Sequence, residues 1–183
     1  MAMNIDYTGI KDSIATILQT DTRFNLANTG TRYVRQILKQ KWILSAPFPT
    51  ILISLTSKAS EQHMAIGYSP FPVLMFSIKT IIQSPPNKVD SVSEIPTALL
   101  TAIGATDIQT PELADKALEK ITDAIEEVIR GNNGALNINR YLNNGQIKVA
   151  LPVSTEFNFI KSENAFYLFS DIALRVEMRL TAS

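Results

Sequence analysis

Residues 172–180 read Ile-Ala-Leu-Arg-Val-Glu-Met-Arg-Leu, so Leu174, Val176, Met178 and Leu180 alternate with Arg175, Glu177 and Arg179. A side-chain period of two puts one face against a core and leaves the other in water, the pattern of a half-buried, antiparallel strand. The aromatic run Ala165-Phe166-Tyr167-Leu168-Phe169 leads straight into it. A strand of this length needs a sheet beside it and something apolar over its inner face. The rest of the chain must supply both.

Two segments carry a helical period. In residues 6–20, Ile10, Ile14, Ile17 and Leu18 fall on one side, Lys11, Asp12, Thr16 and Gln19 on the other, and Asp6 or Thr8 is placed to cap the start. Thr110–Arg130 is the stronger case. Thr110 caps it, Pro111 occupies the first turn, and Glu112 and Asp115 set negative charge at the positive end of the helix dipole. Leu113, Ala117, Leu118, Ile121, Ala124, Ile125, Val128 and Ile129 form its apolar stripe, and Gly131 is expected to end it in the left-handed conformation.

Four further runs read as strands. Thr50–Leu55 follows the punctuation Ala46-Pro47-Phe48-Pro49, and Phe71–Gln83 is opened by Pro70 and Pro72 and closed by Ser84-Pro85-Pro86-Asn87. Gln146–Val153 sets Ile147, Val149 and Leu151 against Lys148 and Ala150, and Phe157–Ile160 follows. Tyr33–Leu44 suits either a strand with a bend or a short helix, strand being the better fit at its start. Asp21–Thr31 reads as a loop, Thr56–Tyr68 as polar and irregular, and Asn132-Asn133-Gly134 and Asn143-Asn144-Gly145 as turns. Residues 84–110 form a long connection containing Pro85, Pro86, Pro96 and Gly104, with one short helical turn within Ile95–Ile103. A connection of this length in a small domain is either functional or a plain surface loop. The order of helix, strands, long connection, helix and strands lacks strict βαβ alternation. It predicts one α+β domain over residues 1–183, with a mainly antiparallel sheet and helices packed on one face.

Composition narrows the chemistry. Seventeen Lys and Arg balance seventeen Asp and Glu in 183 residues, so net charge supplies no basic footprint for nucleic acid and no attraction to an anionic membrane. There is no cysteine, hence no disulfide, thiol nucleophile or cysteine metal site. The start, Met1-Ala2-Met3-Asn4-Ile5-Asp6, has neither the basic nor the apolar region of a signal peptide, and no run reaches the about 18 apolar residues of a membrane span. His63, the single histidine, sits in the polar stretch Ser60-Glu61-Gln62-His63-Met64 and reads as a solvated loop residue. The carboxylates Glu112, Asp115, Glu119, Asp123, Glu126 and Glu127 lie among Lys116 and Lys120 on the wet side of a helix, which makes ion pairs a better reading than a metal or acid–base pair. Neither Asn28-Thr29-Gly30 nor Gly131-Asn132-Asn133-Gly134 has the spacing or the lysine of a phosphate loop. No cofactor, metal or catalytic residue is therefore expected. Two groups remain as candidate interface: the basic cluster Arg32, Arg35, Lys39 and Lys41 with Tyr33 and Trp42 nearby, which reads first as an ordinary solvated segment and otherwise as a surface for nucleic acid or an acidic partner with Trp42 as a core or interface anchor, and Pro85, Pro86, Asp90 and Glu94 in the long connection.

The layout resembles the tail terminator, or tail completion, proteins of long-tailed bacteriophages. The resemblance is carried by the opening helix Tyr7–Gln19, the entry Pro49-Thr50-Ile51-Leu52-Ile53, the segment Thr122-Asp123-Ala124-Ile125-Glu126-Glu127-Val128-Ile129, and the closing strand Tyr167 through Arg179. It implies a non-enzymatic virion protein of the tail or neck, assembled in the host cytoplasm. Such a protein forms a homo-hexameric ring on the last ring of tail tube protein, stops tube growth and offers a docking surface to the head–tail connector or stopper. DNA would pass through the ring without specific binding, and no membrane is involved. Three alternatives stand beside it: a connector or stopper, a non-catalytic binding module with an apolar pocket under the sheet, and a carboxylate-based hydrolase using Asp90 or Glu94.

Overall fold

A computed structural model describes residues 6–41, 47–61, 71–86, 88–89, 92–93, 95–131 and 147–178. The elements run α1 (Tyr7–Thr20), β1 (Gln36–Leu38), β2 (Thr50–Glu61), β3 (Phe71–Ser84), β4 (Lys88–Val89), β5 (Val92–Ser93), α2 (Thr97–Ile103), α3 (Pro111–Gly131), β6 (Ile147–Lys161) and β7 (Phe166–Met178). Five strands form one sheet in the order β1-β2-β3-β7-β6, with β1 parallel to β2 and every other pair antiparallel. The helices cover one face. α1 packs on β2 and α3, α2 packs on α3, and α3 lies across β3, β7 and β6. The fold class is the predicted α+β.

β7 merges the aromatic run and the alternating segment into one strand. Leu168, Ser170, Ile172, Leu174, Val176 and Met178 are buried while the residues between them are half-buried. Opposite residues in an antiparallel pair share a face, so this alternation sets the inner face of its neighbours. On β3 the matching residues are Leu74, Phe76 and Ile78, all at 0% exposure. On β2 they are Ile51 and Ile53. α3 meets this face with the predicted stripe, except that Ala114 and Thr122 are buried where Leu113 is only partly so.

Helix starts follow the sequence. Asp6 caps α1, its Oδ1 accepting from the Gly9 N–H at 2.8 Å, and the Thr110 hydroxyl accepts from the Leu113 N–H at 3.3 Å. The expected left-handed end at Gly131 is absent, because that residue is the last of the helix. The left-handed cap sits on α2 instead, at Gly104, with φ 69° and ψ 32°.

Three other expectations change. Thr56–Glu61 is not irregular but continues β2 through a bulge at Thr56, because the long partner β3 offers it a ladder. Within Tyr33–Leu44 only Gln36–Leu38 forms strand, and residues 42–46 lie outside the described residues. The connection 84–110 is no open loop. The helical turn expected within Ile95–Ile103 is present as α2, but the connection also holds the β4–β5 pair and sends Ile95, Leu99, Leu100 and Ile108 into the core. Its polar composition hid an apolar residue every few positions, and these are what anchor it.

Candidate interaction surface

β6 differs from the other strands of the sheet. It is 15 residues long, it pairs with β7 on one side, and no described strand pairs with its outer edge. Leu151, Val153, Phe157, Phe159 and Ile160 are 37%, 53%, 50%, 70% and 59% exposed, and among the described residues these are all of the exposed large apolar side chains. A strand edge carries unmet N–H and C=O groups. Proteins ordinarily guard such an edge with short length, charge or cover, because an apolar one invites a second chain. β1, the opposite edge of the sheet, is guarded by brevity: it has three residues.

The register explains how these side chains come to the surface. The sequence places Ile147, Val149 and Leu151 on the core side of their strand, but Ala150 opposes Val176, Pro152 opposes Leu174, and both are buried while Leu151 is exposed. The side is dictated by β7: Ile147 opposes the core residue Met178 as expected, but Lys148 drops out of register in a first bulge, so beyond it the local alternation predicts the wrong face for Val149 and Leu151. A second bulge at Val153 reverses the parity again, leaving Thr155, Phe157 and Phe159 on the helix side, opposite Ile172, Ser170 and Leu168. Phe157 and Phe159 stand beside α3 and are not covered by it. Ile160 points from the other face. The strand is thus apolar on both faces near its free edge, a pattern a solvated edge has no use for.

Beside Phe159 opens a mainly apolar cleft of about 430 Å³ lined by Pro111, Glu112, Asp115, Phe159, Phe166 and Leu168. The α3 carboxylates around it are solvated, and Glu112 pairs with Lys116 at 3.5 Å. Deeper along α3, the Thr155 hydroxyl donates to Glu126 at 2.6 Å and Arg130 donates to the same carboxylate at 3.2 Å, tying β6 to the helix. Glu127 accepts from Arg23 at 2.7 Å. Arg23 also binds Asp21 at 2.8 Å, and this hydrogen bond holds the Asp21 carboxyl below its usual pKa and raises that of the guanidinium. These contacts are structural ties between elements. On the open face of the sheet a smaller recess of about 190 Å³ includes Ser77, Ser154, Glu156 and Asp171, with Asp171 taken up by the Ser77 hydroxyl and by Lys79 at 3.4 Å.

The candidate residues from the sequence fall in three places. Arg32, Arg35 and Lys39 flank β1 in the chain, outside the strand itself. Arg32 donates to the Leu26 carbonyl at 3.0 Å, the Arg35 N–H to the Pro49 carbonyl at 2.8 Å, and Lys39 pairs with Asp12. Pro85 is exposed and Pro86 buried just beyond the end of β3, an inner strand of the sheet. Trp42, Asp90 and Glu94 lie outside the described residues, as do His63 and both Asn-Asn-Gly turns. The apolar set on β6 was not singled out from the sequence. Its signal was there in Phe157-Asn158-Phe159-Ile160, where strict alternation breaks and apolar residues claim both faces.

Among the described residues no three His, Cys, Asp or Glu side chains are grouped to hold a metal, and no helix is long and apolar enough to cross a membrane. No family model matches this sequence, and no curated protein matches it. Among solved structures, the chain is similar to one from the virion of a native gene transfer agent particle, at 11% identity and a TM-score of 0.47, covering 94% of this chain and 98% of that one.

Proposed function

We propose that this chain is a non-enzymatic structural subunit of a phage-like virion, and more narrowly a tail terminator: a six-fold ring that caps the tail tube, stops its polymerisation and presents the surface to which the head connector or stopper docks. A likeness at TM-score 0.47 leaves this assignment to the surface itself. The observation that carries it is β6, a 15-residue open edge holding every exposed large apolar side chain among the described residues. Such an edge fits a protein that works by joining copies of itself. The open cleft beside it, lined by apolar carbon and two solvated carboxylates, offers contact area and no converging catalytic groups. In this reading the ring sits at the neck of a virion assembled in the host cytoplasm, and DNA passes through it unbound.

The purified protein, sized by light scattering and imaged in negative stain, is expected to form six-fold rings. Replacing Phe157 and Phe159 together by Ser is expected to weaken association at least about tenfold, since apolar burial of even one such ring is worth more than the free energy of a tenfold change. The circular dichroism of the variant should stay that of the parent, because both rings are half or more exposed. A chain that stays monomeric at high concentration and is absent from particles overturns the reading. Particles made without it decide its place in the neck: tails of uncontrolled length mark a terminator, and normal tails beside unjoined heads mark a connector or stopper.

A further inference from the structure

Among the described residues neither outer edge of the sheet has a partner strand, and the two edges are matched to each other. Reading across β1, β2, β3, β7 and β6, one row of partners is Gln36–Thr50–Ile81–Phe169–Asn158. The next is Ile37–Ile51–Thr80–Ser170–Phe157, and the next is Leu38–Leu52–Lys79–Asp171–Glu156. The three residues of β1 therefore stand level with the stretch of β6 where the exposed aromatics begin. Ile37 shares both its row and its face with Phe157. Direction matches as well. One parallel and three antiparallel pairings leave β6 running opposite to β1. A second copy related by rotation about an axis along the strands keeps every strand direction, so its β1 arrives beside the first copy's β6 antiparallel, without slip and with the helices on the same side.

Charge agrees with this placement. Residues 31–41 carry Arg32, Arg35, Lys39 and Lys41 and no acidic residue, Lys39 being paired with Asp12 of α1, whereas Pro111–Gly131 beside β6 carries six acidic residues against three basic ones. Two copies meeting through β6 alone would instead bring the two acidic α3 helices toward each other.

From this juxtaposition we infer that the free edge of β6 is occupied by the β1 edge of the next copy of the same chain. The contact runs head to tail, with the neighbour's Ile37 against Phe157 and its basic segment facing α3. The arrangement repeats the same joint at each step, which is the kind of interface that closes a ring or, failing closure, runs on as a filament. The inference rests on the reading that copies of this chain join to one another, and it adds which two surfaces do so.

The chain has no native cysteine, so the joint can be tested without background. Gln36→Cys and Asn158→Cys, placed in one chain, put two thiols in one row of the open sheet face, at the about 5 Å spacing of directly opposed cross-strand residues. A short bismaleimide is expected to give a ladder of covalent multimers from the double variant and to leave each single variant uncrosslinked. Circular dichroism and thermal unfolding like those of the parent show that the variants fold. Dimers from Asn158→Cys alone mean that two β6 edges meet, and this overturns the inference. So does an assembled double variant that gives no ladder, although in that case the self-joining reading survives. A double variant that stays monomeric at high concentration removes both.

Discussion

Thr122 is the one polar residue in the buried stripe of α3, at 2% exposure. Its hydroxyl donates to the Leu118 carbonyl at 2.7 Å and lies 2.7 Å from the Ser170 hydroxyl of β7, which is fully buried. With its only hydrogen on Leu118, Thr122 must accept from Ser170. The pair fixes where the helix sits on the sheet, in the row that ends at Phe157. Thr122→Val strands the Ser170 hydroxyl in the core and should cost about 1–3 kcal/mol of stability. Ser170→Ala leaves Thr122 its bond to Leu118 and should cost less. The double variant removes the orphan, so its loss should fall short of the sum by on the order of 1 kcal/mol. Denaturant unfolding of the four proteins measures this, and strict additivity would mean the two hydroxyls do not communicate.

At the scale of elements, α2 shows how the connection 84–110 was put to use. Pro96 precedes the helix, Leu99 and Leu100 bury, and Gly104 ends it with its N–H on the Leu100 and Thr101 carbonyls. At φ 69° a residue with a Cβ is strained, yet a Cβ here would meet nothing within 4 Å. Gly104→Ala therefore isolates the backbone term and should cost about 1–2 kcal/mol, seen as a melting point lowered by about 2–8 °C. Gly131→Ala, at a helical position with open space around it, should cost nothing. Paired melting curves separate the two glycines; equal losses would place a left-handed cap at Gly131 after all. β6 is the opposite case, an element whose two bulges spend regularity to turn side chains. Without the bulge at Val153, Phe157 and Pro152 could not both lie on the helix side.

At the scale of the whole molecule, one edge is basic and short and the other is apolar, long and flanked by acid. Apolar contact supplies affinity in a joint of this kind, while solvated charges set the partner and the approach rate. Assembly should therefore slow as ionic strength rises from about 0.05 to about 0.5 M, because the Debye length contracts from about 14 Å to about 4 Å. The stability of the assembled state should change much less. Light scattering followed over time at each salt concentration measures the rate. A rate indifferent to salt would remove the electrostatic part of the joint and leave the apolar part standing.

The sequence by itself determined the elements whose information is local. The caps Asp6 and Thr110, the stripe of α3 and the alternation of Leu174, Val176 and Met178 each follow from residues within a few turns or pleats of one another. From these the α+β class followed, and the basic run Arg32, Arg35 and Lys39 was visible as a candidate surface. The tertiary structure alone decided which way β6 faces, how far β2 extends, that Ile95 and Ile108 belong to the core, and that Phe157, Phe159 and Ile160 are left uncovered. Those outcomes depend on the register of one strand against another across many residues of chain. A single bulge inverts them while leaving the local pattern unchanged.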